Sequence, residues 1–355
     1  MAIQFICGRS HSGKTQYILD LAKELFDSSK PFIIVVPEQF THIAEKRLIS
    51  KLGFIGLGIG EVLSFDRICK RINSQYPSSK RHLSAMGKSL IVSQILANTD
   101  LKYYKSSATR DGFVDVCCEE ISEMKKYMVS PDALDEACEK IDNKALSLKL
   151  SDIATVYRLY ESQLQSVFSD ADDSLAILSE NLEVHKPYEG YTFLFDEFSS
   201  FNPRERDVIA AIASQAENVY LSFCADFSGE YSSLFKPIRE CMDSVRKACE
   251  QRGCKVMEPI DLPDGTYACP ELEYLEKNLY SSKMVSTKMP CNNIRIYTCE
   301  NPYSEVANVA SQISSLVRLR GVRYRDISVV CSDISAYGFI FRSVFDAYNI
   351  PYFID

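Results

Sequence analysis

Short apolar runs alternate with helical stripes along the first 75 residues. "IQFIC" runs into a glycine-bearing stretch, and "KTQYILDLAKELF" then sets Ile18, Leu19, Ala22 and Leu25 on one helical face. "PFIIVVPEQF" is a continuous β-branched run closed by Pro37, the pattern of a strand buried on both faces. A helix is predicted over Thr41–Leu52, with Thr41 as its cap and Glu45 close behind. "GEVLSF" reads as a third strand, with a helix starting near Asp66. Repeated strand–helix units with buried strands predict a parallel α/β sheet.

The pattern changes at about residue 75 and changes back at about 180. "GKSLIVSQILAN", "GFVDVCCEEISEMKKYMV", "SPDALDEACEKI" and "LSDIATVYRLYESQLQSVF" all carry helical periodicity, and β-type runs are missing between them. Residues 76–180 therefore predict a helical insertion of domain size. Strands return in "YTFLFDEF" and "NVYLSFCADF", separated by the helix "PRERDVIAAIASQA" and followed by the helix "PIRECMDSVRKACEQRG" and by "CKVMEPI". Residues 261–290 are loop-rich and mark a border. Beyond it, "NIRIYTCE", "DISVVC" and "IPYFI" predict strands around the helices "SEVANVASQISSLVRL" and "SAYGFIFRSVFDAYN". Ending on that third strand, the chain reads as cut short within this domain.

Composition narrows the classes without choosing among them. Apolar residues make up 46% and charged residues 25% of 355, as in a globular protein of two or three domains. No apolar run is long enough to span a membrane and no basic residue precedes the first one, so a cytoplasmic location without membrane contact is expected. Thirteen scattered cysteines contain no CxxC, which argues for reduced, mostly buried thiols and against zinc knuckles. The net charge of −8 neither invites nor excludes nucleic acid, which needs only a local basic track. Basic clusters at Lys80 and Arg81, at Lys125 and Lys126, and at Arg318, Arg320, Arg323 and Arg325 read as solvated helix ends.

Chemistry concentrates at two places. Gly8, Arg9, Ser10, His11, Ser12, Gly13, Lys14 and Thr15 fit the phosphate-loop spacing G-x-x-x-x-G-K-[ST], with a strand before and a helix after. Backbone N–H groups of such a loop surround the β-phosphate of ATP, Lys14 reaches the β- and γ-phosphates, and Thr15 binds Mg²⁺. His11 stands where a left-handed backbone is expected, a conformation histidine tolerates better than most residues. The buried strand "FLFDE" supplies the second element, with Asp196 as the metal-side carboxylate and Glu197 as the group that polarises the attacking water.

Taken in order, "GRSHSGKT", "IVVPEQFTHIAEKRL", "GEVLSFDRI", a helical insert, "FLFDEFSSFNPRE", "ENPYSEVANVASQI" and "IPYFID" resemble the AddB/RexB-type subunit of the bacterial helicase–nuclease, a relative of superfamily 1 helicases. The resemblance implies a P-loop NTPase fold. Residues 1–75 with 181–285 form a RecA-like domain 1A, residues 76–180 a helical 1B insert, and residues 286–355 the first part of domain 2A. It also implies an N-terminal portion, without the nuclease domain and its iron–sulfur cluster, and an AddA/RexA-type partner subunit acting on double-strand DNA ends. Departures from an active motor are plain. The acidic motif reads Asp196-Glu197-Phe198-Ser199-Ser200, so the glutamine that links γ-phosphate to DNA is not where such motors carry it. No adenine-reading glutamine fits in the seven residues before Gly8, and no arginine finger is evident. Slow hydrolysis is expected of this chain alone.

By the same resemblance, "PEQFTHIAEK" and "LSF" stand where relatives touch single-stranded DNA, with Thr41 and Ser64 toward phosphates and Phe40 or Phe65 toward a base. The opposing reading makes Thr41 a helix cap and both phenylalanines core. Two rival functions stay open: a small-molecule kinase of thymidine-kinase type, and a scaffold that keeps nucleotide binding as a structural clip.

Overall fold

The computed structural model describes residues 2–53, 59–108, 110, 112–164, 167–227, 233–281 and 286–354. The chain divides into two units, Met1–Ala268 with Glu273–Val285, and Cys269–Leu272 with Ser286–Asp355. The first unit opens with β1 (Ala2–Gly8), α1 (Lys14–Asp27), β2 (Phe32–Val35), α2 (Thr41–Leu52), β3 (Gly60–Leu63) and α3 (Phe65–Gln75). A helical stretch follows: a short β4 (Arg81–His82), then α4 (Ala85–Asn98), α5 (Phe113–Lys126), α6 (Pro131–Lys140), α7 (Lys144–Leu164) and a short β5 (Phe168–Ser169). The chain then returns through α8 (Ser174–His185), β6 (Thr192–Phe195), α9 (Pro203–Ala213), β7 (Asn218–Cys224), α10 (Lys236–Gln251), β8 (Lys255–Val256) and β9 (Ile260–Asp261).

One sheet runs β3-β2-β6-β7-β1-β8, with β9 also against β1, and every ladder in it is parallel. Its strands read as unbroken apolar runs because both faces are covered. Phe32 and Ile34 face the layer of α1 and α2, with Ile18, Ala22 and Leu48. Ile33 and Val35 face the opposite layer, where Ile68, Leu182, Ile209 and Val245 come from α3, α8, α9 and α10. The structure separates Asp196's strand from β1 by one strand, β7.

The helical stretch buries its own cluster, including Val92, Ile121, Tyr157 and Tyr160. Contrary to the expectation of no β structure there, β4 and β5 pair over two residues each. Leu178 and Leu182 of α8 belong to the sheet's core, so that helix faces the sheet although it begins before residue 180. Lys125, expected at a solvated helix end, is 4% exposed. Its ammonium lies 3.0 Å from Asp170, 2.9 Å from Asp173 and 3.0 Å from Glu161, and Tyr160 donates its hydroxyl to Asp170 at 2.7 Å. A buried ammonium is tolerable only with such partners, and here they fasten α5 to the chain returning toward the sheet.

Helix α11 (Pro270–Asn278) crosses the border between units, and α12 (Pro302–Arg320) and α13 (Ile334–Ala347) follow in the second. Val306, Ala310 and Ile313 pack there against Phe341, Val344 and Phe345. The three strands expected in this unit are not formed among the described residues, and Ile296, Val330 and Phe353 stand 91%, 91% and 88% exposed. Periodicity reports a residue's readiness for a pleated conformation; a strand also needs a ladder partner. All thirteen cysteines are free, but only Cys7, Cys69, Cys117, Cys241, Cys249 and Cys254 are buried, fewer than expected.

Candidate functional site

The glycine-bearing loop sits at the carboxyl ends of the parallel strands, where open α/β sheets place ligands. Gly8 ends β1 and has no room for a side chain: an added Cβ would collide with Ser12. His11 and Gly13 take φ of 60° and 87°, and Lys14 opens α1 directly after. The Lys14 ammonium donates to the carbonyls of Gly8 at 2.9 Å and Arg9 at 2.7 Å, and lies 3.5 Å from the Ser12 hydroxyl. Arg9 points away, held by Asp226 at 3.2 Å and Glu276 at 2.8 Å. Tyr267 donates its hydroxyl to the Ser10 carbonyl at 3.0 Å.

Asp196 follows β6 and is 4% exposed. The hydroxyls of Ser222, on β7, and Thr15, on α1, both hydrogen-bond its carboxylate. Burial pushes the Asp196 carboxyl above its ordinary 3.8, outweighing those two hydrogen bonds, and the Glu197 carboxylate adds to the rise. Glu197 takes a left-handed φ of 65°, a costly conformation for a non-glycine residue of the kind that gathers at functional sites. Arg47, on α2, donates to its carboxylate at 2.9 Å. Thr15, Phe40, Arg47, Asp196 and Glu197 all line one cavity of about 10 Å³, room for a single water. Thr15 and Asp196 thus meet, as two groups sharing a Mg²⁺ shell must. Among the described residues no group of three His, Cys, Asp or Glu could hold a metal; a magnesium ion carried by phosphates and water needs fewer protein ligands.

The candidate DNA contacts are placed differently. Thr41 is 4% exposed and is the first residue of α2, not its cap; Phe40 holds that position. Its hydroxyl donates to the Glu38 carbonyl at 2.9 Å and accepts from Arg67 at 3.2 Å. Ser64 is 3% exposed, caps α3 through the Arg67 N–H and donates to the Glu38 carboxylate. Phe65 is 8% exposed, with its ring 5.9 Å from Phe195, 5.6 Å from Phe198 and 6.3 Å from Phe201. Phe40 is half-buried against the α1–α2 core. In this conformation Thr41, Ser64 and Phe65 offer no free face to a phosphate or base, because the packing of α2 and α3 onto the sheet consumes them. The sequence alone does not single out Ser222, Arg47 or Tyr267. Ser222 had a faint signal, a hydroxyl inside the apolar run "NVYLSFC"; the other two had none.

A mainly parallel α/β sheet in this order, with a glycine loop at the tip of β1, is consistent with RecA-like proteins. A family model described as ADDB, N-terminal, matches residues 5–276, and the chain belongs to that family. It is similar to the B subunit of the ATP-dependent helicase/deoxyribonuclease of Clostridioides difficile strain 630, at 34% identity over 375 residues. Proteins of the same name from Clostridium botulinum strain Loch Maree and from Caldanaerobacter subterraneus match at 33% and 34% identity. In each case the whole chain aligns but covers only 32% of the relative's length. No helix among the described residues is long and apolar enough to cross a membrane.

Proposed function

We propose that this chain is the nucleotide-binding portion of a helicase–nuclease subunit that processes double-strand DNA ends for recombination repair in the cytoplasm. The observation that carries the reading is the meeting of Thr15 and Asp196 beside a loop of phosphate-binding spacing. Residues 8–15 hold the triphosphate of ATP, with backbone N–H groups and Lys14 as donors. Thr15 and Asp196 hold Mg²⁺, and Glu197 orients the attacking water. The helical stretch 76–180 serves as a 1B insert, and residues 286–355 open a second RecA-like domain.

The relatives' name includes "ATP-dependent" and "helicase" and makes each of them one subunit of a larger enzyme. That supports ATP as ligand and a second subunit as partner; our reading makes that partner AddA/RexA-type, with single-stranded DNA passing between the two. Neither the kinase reading nor the scaffold reading has an observation in its favour. The test is equilibrium binding of ATP with Mg²⁺ to the chain and to Lys14→Ala, alongside assembly of the full-length protein with its partner on a DNA end. Equal affinity for both forms, or none for either, removes the nucleotide reading.

A further inference from the structure

The first half of the loop is covered by a segment that neither phosphates nor magnesium explain. Strand β9 pairs with Ile6 and Cys7 of β1, and the Leu262 N–H donates to the Cys7 carbonyl at 2.8 Å. The chain therefore leaves the sheet beside Gly8 and passes over Ser10 and His11. Gly265 comes so close that an added Cβ would collide with the Ser10 carbonyl and with His11. Two residues later, the Tyr267 ring lies 4.8 Å from the His11 ring at an angle of 40°. Four further ties hold the segment: the Tyr267 hydroxyl on Ser10 at 3.0 Å, Arg9 on the Glu276 carboxylate at 2.8 Å and carbonyl at 3.0 Å, and Lys277 on Asp264 at 3.5 Å.

We propose that the His11–Tyr267 pair is a shelf on which the nucleobase of the bound nucleoside triphosphate stacks. This deepens the nucleotide reading and rests on it. With Tyr267 against one side, the His11 ring remains exposed, while Tyr267 itself is half-buried. An exposed ring at the edge of a phosphate loop, braced from behind, is a surface for a flat apolar partner bearing phosphates. The left-handed φ of 60° at His11 fits the same account. Glycine is the comfortable residue there, and histidine adds a ring at the cost of strain. Stacking tolerates every base, so purine triphosphates bind similarly and ahead of pyrimidine ones.

The test separates the base from the phosphates. Affinities for Mg²⁺-ATP, Mg²⁺-CTP and Mg²⁺-tripolyphosphate are measured by calorimetry for the chain, for His11→Gly, and for Tyr267→Ala and Tyr267→Phe. His11→Gly relieves the backbone while removing the ring. It is expected to weaken ATP roughly tenfold, the scale of one base–aromatic stack, and to leave tripolyphosphate unchanged. Tyr267→Ala is expected to shift the same ratio and Tyr267→Phe to keep it. Because the chain has no tryptophan, Tyr267→Trp supplies a single tryptophan whose emission is expected to be quenched by ATP and not by tripolyphosphate. If His11→Gly weakens ATP and tripolyphosphate equally, the segment is only a brace and the shelf is wrong. If the unaltered chain binds tripolyphosphate as tightly as ATP, the shelf is wrong while the phosphate loop stands. If it binds neither, the nucleotide reading falls and the shelf with it.

Discussion

The Lys14 ammonium donates to the Arg9 carbonyl at 2.7 Å, bridging the two ends of its own loop. Its other two partners, the Gly8 carbonyl and the Ser12 hydroxyl, belong to the same loop. Replacing Lys14 with alanine therefore removes no contact from the core. The expected outcome is loss of ATP affinity by about 10–100-fold, the scale of a charged hydrogen bond, with little change in thermal stability. Nucleotide titration and a melting curve on the same sample check both halves.

Asp196 is held at the expense of folding stability. Its carboxyl is raised by burial, so the folded state keeps its proton to higher pH than the unfolded state does. Stability from this group is greatest below the ordinary 3.8 and declines as pH rises through the raised value. Asp196→Asn is expected to raise the melting temperature at pH 7 and to abolish magnesium-dependent ATP binding. Stability unchanged or lowered at neutral pH would show that the carboxylate is well compensated without a ligand.

The Lys125 network behaves in the opposite sense. Burial pushes the Asp170 carboxyl up, but the Tyr160 hydroxyl and the Lys125 ammonium outweigh it and hold it below the ordinary 3.8. Its contribution is present above that value and is lost as pH falls beneath it. Lys125→Met leaves Asp170 buried without its cation and is expected to cost about 3–5 kcal/mol at pH 7. The loss should shrink toward pH 3, where the carboxyl begins to take up its proton. Denaturant unfolding at the two pH values reads it directly.

Phe65 provides a test of the DNA assignment. Its ring packs among Phe195, Phe198 and Phe201. Phe65→Ala is expected to destabilise the fold by ~3–5 kcal/mol, as large aromatic truncations in cores do. A variant that keeps full stability and loses affinity for single-stranded DNA would return Phe65 to the interface.

Hydrolysis should be slow in this chain alone, since Ser199 and Ser200 stand where the motif of an active motor continues differently. Turnover of tens per second with single-stranded DNA would overturn the argument.

Local chemistry decided what the sequence alone determined. The phosphate-loop spacing, the left-handed residue at His11, the unbroken apolar strands and the acidic pair after β6 are all set within a few residues, by backbone sterics and burial on two faces. The helices of the second unit followed from periodicity, while its expected strands did not form, since a ladder depends on a partner that periodicity does not name. The partners of the site were equally invisible. Ser222 reaches Asp196 across 26 residues, Arg47 reaches Glu197 across 150, and Tyr267 reaches Ser10 across 257. Whether Phe65 faced a base or the core was likewise open, since an aromatic residue beside a strand suits either. Only the stacking of α3 on the sheet, which brings three further phenylalanines around its ring, decided that it is core.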